Sequence, residues 1–332
     1  MLSSEMREIP ATGTKTSYQT IRVKLLDGEH AGERLTLDND YLSLKKGEKV
    51  VLRHTVNARE GKDQYAVLEP YRLPVLWLLL GLFVLCLVLF GGVQGVRGLM
   101  ALCASLFFIL YLLLPGILAG YPPMLVSLSI AAIIVVFGSY ITHGFNRATT
   151  AAVFGMLVSI VVTGVLAYLS IYAAQLSGYS SDEAVYLNFN TKGTIDFVGL
   201  LLGSVMIGLL GVLYDAAISQ AIVVEELCAV GAQASRKEIF SRALRIGREH
   251  IGALVNTLAI AYVGASLPLI LLVKQVTAAD VSVTLNQELF ATEIVRTIVS
   301  SIGIILAVPI TTAVSVWMLY GKPTRRTHTH RH

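Results

Sequence analysis

The sequence predicts a polytopic α-helical membrane protein of about seven spans, with a small all-β domain, OB- or SH3-like, ahead of the first span. Three observations predict it. Hydrophobic residues make up 55% of the 332-residue chain and charged residues 14%, against about 25% charged in ordinary soluble domains. From Leu73 onward, apolar runs recur at roughly the twenty-residue length that a helix needs to cross a bilayer. Before Leu73 the period is two: Ile21, Val23 and Leu25 alternate with Arg22 and Lys24, the mark of a half-buried strand.

Residues 1–17 are polar and lack an apolar stretch, so they are expected to be a disordered lead and not a signal peptide. Residues 18–70 carry the β-rich runs, continued by Leu35-Thr36-Leu37, Val50-Val51-Leu52 and Tyr65-Ala66-Val67-Leu68, with Gly- and charge-rich turns between them. That spacing suits a small antiparallel barrel or sandwich near the lower size limit for independent folding. Before residue 73 there are 12 basic and 11 acidic residues, and only Tyr18 and Tyr65 lie on the runs. Nucleic-acid stacking needs exposed aromatics among the cations, so no nucleic-acid partner is expected and the segment reads as a structural or gating ectodomain.

The membrane domain, residues 72–320, offers candidate spans at 73–91, 97–114, 123–141, 148–173, 196–226, 249–273 and 292–320. Trp77, Tyr111, Tyr121, Tyr168, Tyr172, Trp317 and Tyr320 lie toward run ends, as interfacial aromatics do. Gly91 with Gly95, and Gly199 with Gly203, have the small-xxx-small spacing of close helix packing. Arg236, Lys237, Arg242, Arg245 and Arg248 load one loop, and Lys322, Arg325, Arg326 and Arg331 load the basic tail, residues 321–332; Arg97 and Arg147 mark two more loops. Loops 174–195 and 274–291 are acidic instead. The positive-inside rule then predicts a multi-pass membrane protein with a cytoplasmic C-terminus; the resemblance given below implies the bacterial inner membrane. The β domain is expected outside, which requires export by the first span or by a span upstream.

The expected partners are the bilayer, an ion or small solute, and a second copy in a homo-oligomer. Cys86, Cys103 and Cys228 have neither disulfide nor metal spacing. No P-loop, G-x-S-x-G or H-E-x-x-H sequence occurs, so neither enzyme activity nor a cofactor is expected.

Residues 203–226 hold the strongest candidate. Asp215 sits in the middle of an apolar run, and an unpartnered carboxylate in hydrocarbon costs at least ~2.5 kcal/mol on insertion scales. At ~100° per residue, Asp215, Ser219, Ile222 and Glu226 fall near one line down a helix. This predicts a transport path along that line, against the plainer reading of a buried acid hydrogen-bonded in place or paired with Arg296. On the next span, Asn256, Thr257 and Tyr262 are expected to supply neutral oxygens to the same cavity, or to serve only as helix–helix contacts. Glu226 and Glu249 would flank its inner mouth. Pro268 and Pro309 are expected to kink their spans. Residues 225–248 read as an amphipathic cytoplasmic helix pair, either lipid-facing or, like the coupling helices of ABC permeases, contacting a partner subunit. His328, His330 and His332 alternate in the tail as weak metal-ligand candidates.

The run Y-D-A-A-I-S at Tyr214–Ser219, the basic linker, and I-G-R-E-H-I-G-A-L-V-N-T-L-A-I-A-Y-V-G at Ile246–Gly264 together resemble the signature of the YibE/F-like family of bacterial multi-span membrane proteins. The resemblance extends more loosely over residues 72–320 and implies a permease of unsettled substrate. Two departures stand out. Arg248-Glu249 replaces an Arg-Asp pair, and Gly252-Ala253-Leu254 replaces Gly-Thr-Met. The function expected is therefore a secondary transporter, cation- or proton-coupled. The alternative is a non-transporting scaffold, or the membrane subunit of a larger complex contacted through loop 227–248.

Single cysteines at positions 35 and 240, in a background lacking the three native ones, test the orientation. Position 35 should label from outside the cell and position 240 only from the cytoplasm. Labelling of both from one side would overturn the seven-span topology.

Overall fold

The computed structural model describes residues 3–8, 15–28, 30–40, 43–56, 63–230, 233–275 and 281–321. The chain divides into two compact units, Met1–Leu89 and Phe90–His332.

In the first unit, strands β1 (Ser3–Glu8), β2 (Lys15–Lys24) and β3 (Arg34–Asn39) form one antiparallel sheet, and β4 (Val50–Val56) and β5 (Asp63–Pro70) form a second. Two antiparallel sheets make up the expected small all-β domain, and residues 3–8 and 15–17 of the expected disordered lead lie in strands. The buried apolar set is thin, with Ile21 and Leu44 its members among the described residues, so polar bonds pin the sheet. The buried Gln19 side chain donates to the Leu44 carbonyl at 3.2 Å and accepts from the Leu44 amide at 2.8 Å and from Asn39 Nδ2 at 3.1 Å.

Helix α1 runs Leu73–Phe108 and leaves helical geometry at Gly92, where φ is 53° and ψ is −137°. A short π-segment, Ile109–Leu113, follows and then α2, Leu114–Leu118. The π-turn accommodates Pro115, which has no amide to donate and whose ring would crowd the carbonyl four residues back. The whole run Leu73–Leu118 is 46 residues, ~69 Å of helix. The pieces on either side of Gly92 are each about one bilayer crossing long.

The second unit continues with α3 (Pro123–His143), α4 (Arg147–Ala173), α5 (Asp182–Asn190), α6 (Phe197–Val230), α7 (Arg236–Ala265), α8 (Leu267–Gln275), α9 (Val281–Asn286) and α10 (Glu288–Leu319). Among the described residues, five helices are long and apolar enough to cross a membrane, or six if α7 and α8, bent by 73°, count as one span. The expected seven counted the two sides of Gly92 separately. The α7–α8 bend falls at Ser266, two residues before Pro268, as the proline predicts. By contrast, α10 continues through Pro309.

Helices α4, α6 and α10 pack mutually, α3 closes the α4–α6 side and α7 the α6–α10 side. Met156, Ile160, Leu209, Leu213 and Ile304 fill the centre, each at most 1% exposed. Where α4 and α10 cross, glycine meets threonine twice, in antiparallel register. A Cβ on Gly155 would stand 2.7 Å from Thr311 Oγ1, and one on Gly303 would stand 2.6 Å from Thr163 Cγ2. Small residues let membrane helices approach closely, since lipid offers no hydrophobic driving force between them.

Within the stretch 225–248, residues 225–230 end α6 and residues 236–248 begin α7, which a Ser235–Glu238 capping box caps. Their apolar face packs inside the chain, where Val224, Ile239 and Ala243 cluster with Ala151, Val316 and Leu319. At the opposite end of the unit, the Ser177 and Gly178 amides and the Ser177 hydroxyl bind the Glu288 carboxylate at 2.7–2.8 Å, tying the loop after α4 to the start of α10.

Gly303→Val tests the crossing. Overpacking of this kind costs about 1–3 kcal/mol, so the thermal midpoint of the purified protein should fall by several degrees. Gly211→Ala, where nothing lies within 4 Å, should not lower it. Equal stability of Gly303→Val and the parent would contradict the tight crossing.

Candidate functional site

Four helices pack on α6: α3, α4, α7 and α10. One strip of it stays open. Between residues 204 and 226 the exposed positions of α6 are Ser204, Gly208, Gly211, Asp215, Ser219, Ile222 and Glu226. Steps of three and four keep all seven on one face. Apart from Ile222, every one is small or polar. The exposed face of α1, in contrast, is built from Leu79, Phe83, Leu89, Phe90 and similar side chains, as hydrocarbon requires. The 22 steps from Ser204 to Glu226 span ~33 Å of helix, about the thickness of the hydrocarbon core. The line expected through Asp215, Ser219, Ile222 and Glu226 is therefore present, and it continues a further three turns to Ser204.

One end of the stripe meets a polar cluster drawn from three elements. Arg296 of α10 donates to Glu293 at 2.9 Å and reaches Ser204 Oγ at 3.4 Å. Ser266, at the α7–α8 bend, donates to Glu293 at 3.3 Å. Arg296 is thus engaged three turns from Asp215, ~16 Å along the helix, and is not its partner. Beside Asp215 stands His143, the last residue of α3. The His143 ring lies 5.9 Å from that of Tyr214, whose hydroxyl donates to the Gly138 carbonyl at 3.3 Å. At the other end Glu226 stands beside Glu225, which also feels Arg147.

Helix α7 contributes less than expected. Its buried positions Ile239, Ala243, Gly247 and Leu258 define the side that meets its neighbours. Asn256 lies ~200° around from Leu258 and Glu249 ~200° around from Gly247, so both point away from α6. Thr257 is exposed on the flank. Tyr262 does reach the stripe: its hydroxyl would be 2.7 Å from a Cβ on Gly208, and it has no hydrogen-bond partner among the described residues. His328, His330 and His332 lie outside the described residues.

Gln220 was not singled out from sequence and holds the helix junction together. It is 4% exposed, and its Nε2 donates at 2.8 Å both to the Ala243 carbonyl of α7 and to Thr312 Oγ1 of α10. Thr312 in turn donates to the Val308 carbonyl at 2.7 Å. The close approach requires glycine opposite, because a Cβ on Gly247 would lie 2.6 Å from Gln220 Oε1. Glu293 and Ser204 were also missed, though Glu293 stands three residues before Arg296, the spacing of a helical ion pair.

An open recess of about 420 Å³ lies where α3 turns into α4, lined by Phe145, Asn146, Arg147, Thr150, Met318 and Leu319. It includes none of the stripe residues. Among the described residues no group of three His, Cys, Asp or Glu side chains could hold a metal ion.

No curated protein and no solved structure matches the chain. The model of the YibE/F-like protein family matches residues 79–321, a stretch that includes α3 to α10 and the whole stripe on α6. The chain belongs to the YibE/F-like family.

Proposed function

We propose that this membrane protein is a permease, a secondary transporter whose path follows the open strip of α6. The observation that carries this reading is the unbroken run of small and polar positions from Ser204 to Glu226, with Asp215 near its middle and exposed. Such a strip facing lipid is costly, since even one central carboxylate adds at least ~2.5 kcal/mol. Water or an ion in the groove removes that cost. Gly211 leaves room for a solute beside the helix, since a Cβ there would touch nothing within 4 Å, while the Tyr262 hydroxyl fills the space over Gly208.

Asp215 is the coupling residue in this reading, binding a proton or cation, with the His143 imidazole beside it. Ser219 and Tyr262 supply neutral oxygens, and Glu226 lies at the cytoplasmic mouth. The Glu293–Arg296 pair, with Ser204 and Ser266, closes the extracytoplasmic end. No catalytic step and no cofactor is invoked. The scaffold alternative loses support because the apolar side of loop 227–248, its proposed docking surface, packs against α4 and α10 within the chain.

Asp215→Asn in proteoliposomes tests the reading, with a trapped pH dye and metal-sensitive dyes reporting flux across a panel of solutes and ions. The parent should move at least one of them. Asp215→Asn should insert and melt as the parent does while losing most of that flux. Full flux in the variant would exclude Asp215 from the path, and no flux in a folded parent across the panel would favour the scaffold.

A further inference from the structure

Polar side chains from three helices converge where the open strip begins. Ser204 and Gly208 lie one turn apart on α6, ~6 Å along its axis. On α7, Tyr262 and Ser266 are likewise one turn apart, and the Ser266 amide donates to the Tyr262 carbonyl at 2.9 Å. Tyr262 sits against Gly208, whose missing side chain admits its hydroxyl. From α10, Arg296 reaches Ser204.

The bonds of Arg296 are unevenly distributed. Nη1 donates to Glu293 Oε1 at 2.9 Å, and Glu293 is itself fixed by Ser266, whose hydroxyl donates to Oε2 at 3.3 Å. Nη2 reaches Ser204 Oγ at 3.4 Å, which is long for such a bond. Nε is buried and has no partner among the described residues, and the Tyr262 hydroxyl is in the same condition. A helix clamp alone does not explain this. The pair with Glu293 needs only Nη1, and a lysine would serve it as well. Two buried donors without acceptors are costly, and both belong to side chains that lie over the Ser204–Gly208 turn.

Granted the path along α6 proposed above, we infer that Arg296 and Tyr262 bind an oxyanion group, carboxylate or phosphate, carried by the transported solute. Nε and Nη2 form the guanidinium edge that grips such a group with two parallel bonds. An oxyanion across that edge takes the place that Ser204 Oγ now holds and leaves the Glu293 bond on Nη1 intact. The Tyr262 hydroxyl, one turn along, supplies a further donor. The rest of the solute extends toward Gly211, where a Cβ would meet nothing within 4 Å, and Asp215 lies one more turn along. A negative group at Arg296 and a proton or cation at Asp215 then cross together with their charges offset, which costs less in hydrocarbon than either alone.

The test is the thermal midpoint of the full-length protein in detergent, titrated separately with sodium phosphate and sodium acetate. Sodium chloride holds the ionic strength constant. At least one of the two anions should raise the midpoint saturably where chloride does not, and the one that does tells phosphate from carboxylate. Arg296→Lys keeps the charge and the pair with Glu293 but loses the fork, and should weaken that binding at least tenfold. Tyr262→Phe removes a hydroxyl with no partner among the described residues, so it should fold as the parent does and still weaken binding severalfold. Ser204→Ala should bind as the parent does. Stabilisation by neither anion, or unchanged affinity in Tyr262→Phe and in a folded Arg296→Lys, would overturn the site. Binding is read in detergent, independently of flux. Anion binding by a protein that moves nothing in vesicles would therefore sink the path and leave the site standing.

Discussion

The arrangement depends on α6 being held on four sides and left open on the fifth. Helices α4 and α10 press against its buried face, and α3 and α7 flank it. Lipid supplies no hydrophobic force to gather membrane helices, so close contact must come from surface shape and polar bonds. Gly155 and Gly303 supply the shape at the α4–α10 crossing, and Gln220 supplies the bonds where α6, α7 and α10 meet. Had α7 been set by a bulkier contact than Gly247, it could not approach Gln220, and the groove beside α6 would have a different wall. The open strip is thus a product of tight packing elsewhere.

That packing also explains why the two ends of the strip differ. At the Ser204 end an arginine, a glutamate and two serines from three elements are bonded into one cluster, one of them sitting at the α7–α8 bend. At the Glu226 end, Glu225 lies beside Glu226 and within the field of Arg147 at the start of α4. The strip therefore ends in a bonded cluster on one side and in acidic side chains on the other.

Several of these features were legible in the residues. Helical periodicity alone places Asp215, Ser219, Ile222 and Glu226 on one line, and the apolar runs mark the spans. The errors have physical causes. Depth alone offers Asn256 to the cavity or to helix contacts and Glu249 to its mouth, but which side of α7 meets α6 is decided by Gly247 and Tyr262, a tertiary matter. Arg296 is a possible partner of Asp215 from sequence only because no Lys or Arg lies nearby along the chain, whereas Glu293, one helical turn before Arg296, holds it instead. The stretch 225–248 has the amphipathic pattern of a surface helix, and the same pattern equally suits a helix whose apolar side packs on α4 and α10.

The central claim is that the open strip of α6 is wetted within the bilayer. Single cysteines at 208, 211, 215 and 219, in a cysteine-free background reconstituted in vesicles, can be challenged with a membrane-impermeant thiol reagent. Positions 79 and 83 of α1, exposed but apolar, serve as lipid-facing controls. The account predicts reaction at 211, 215 and 219 and none at 79 or 83. If positions 211 and 215 prove as unreactive as those controls, the strip faces lipid or another protein and is not a path.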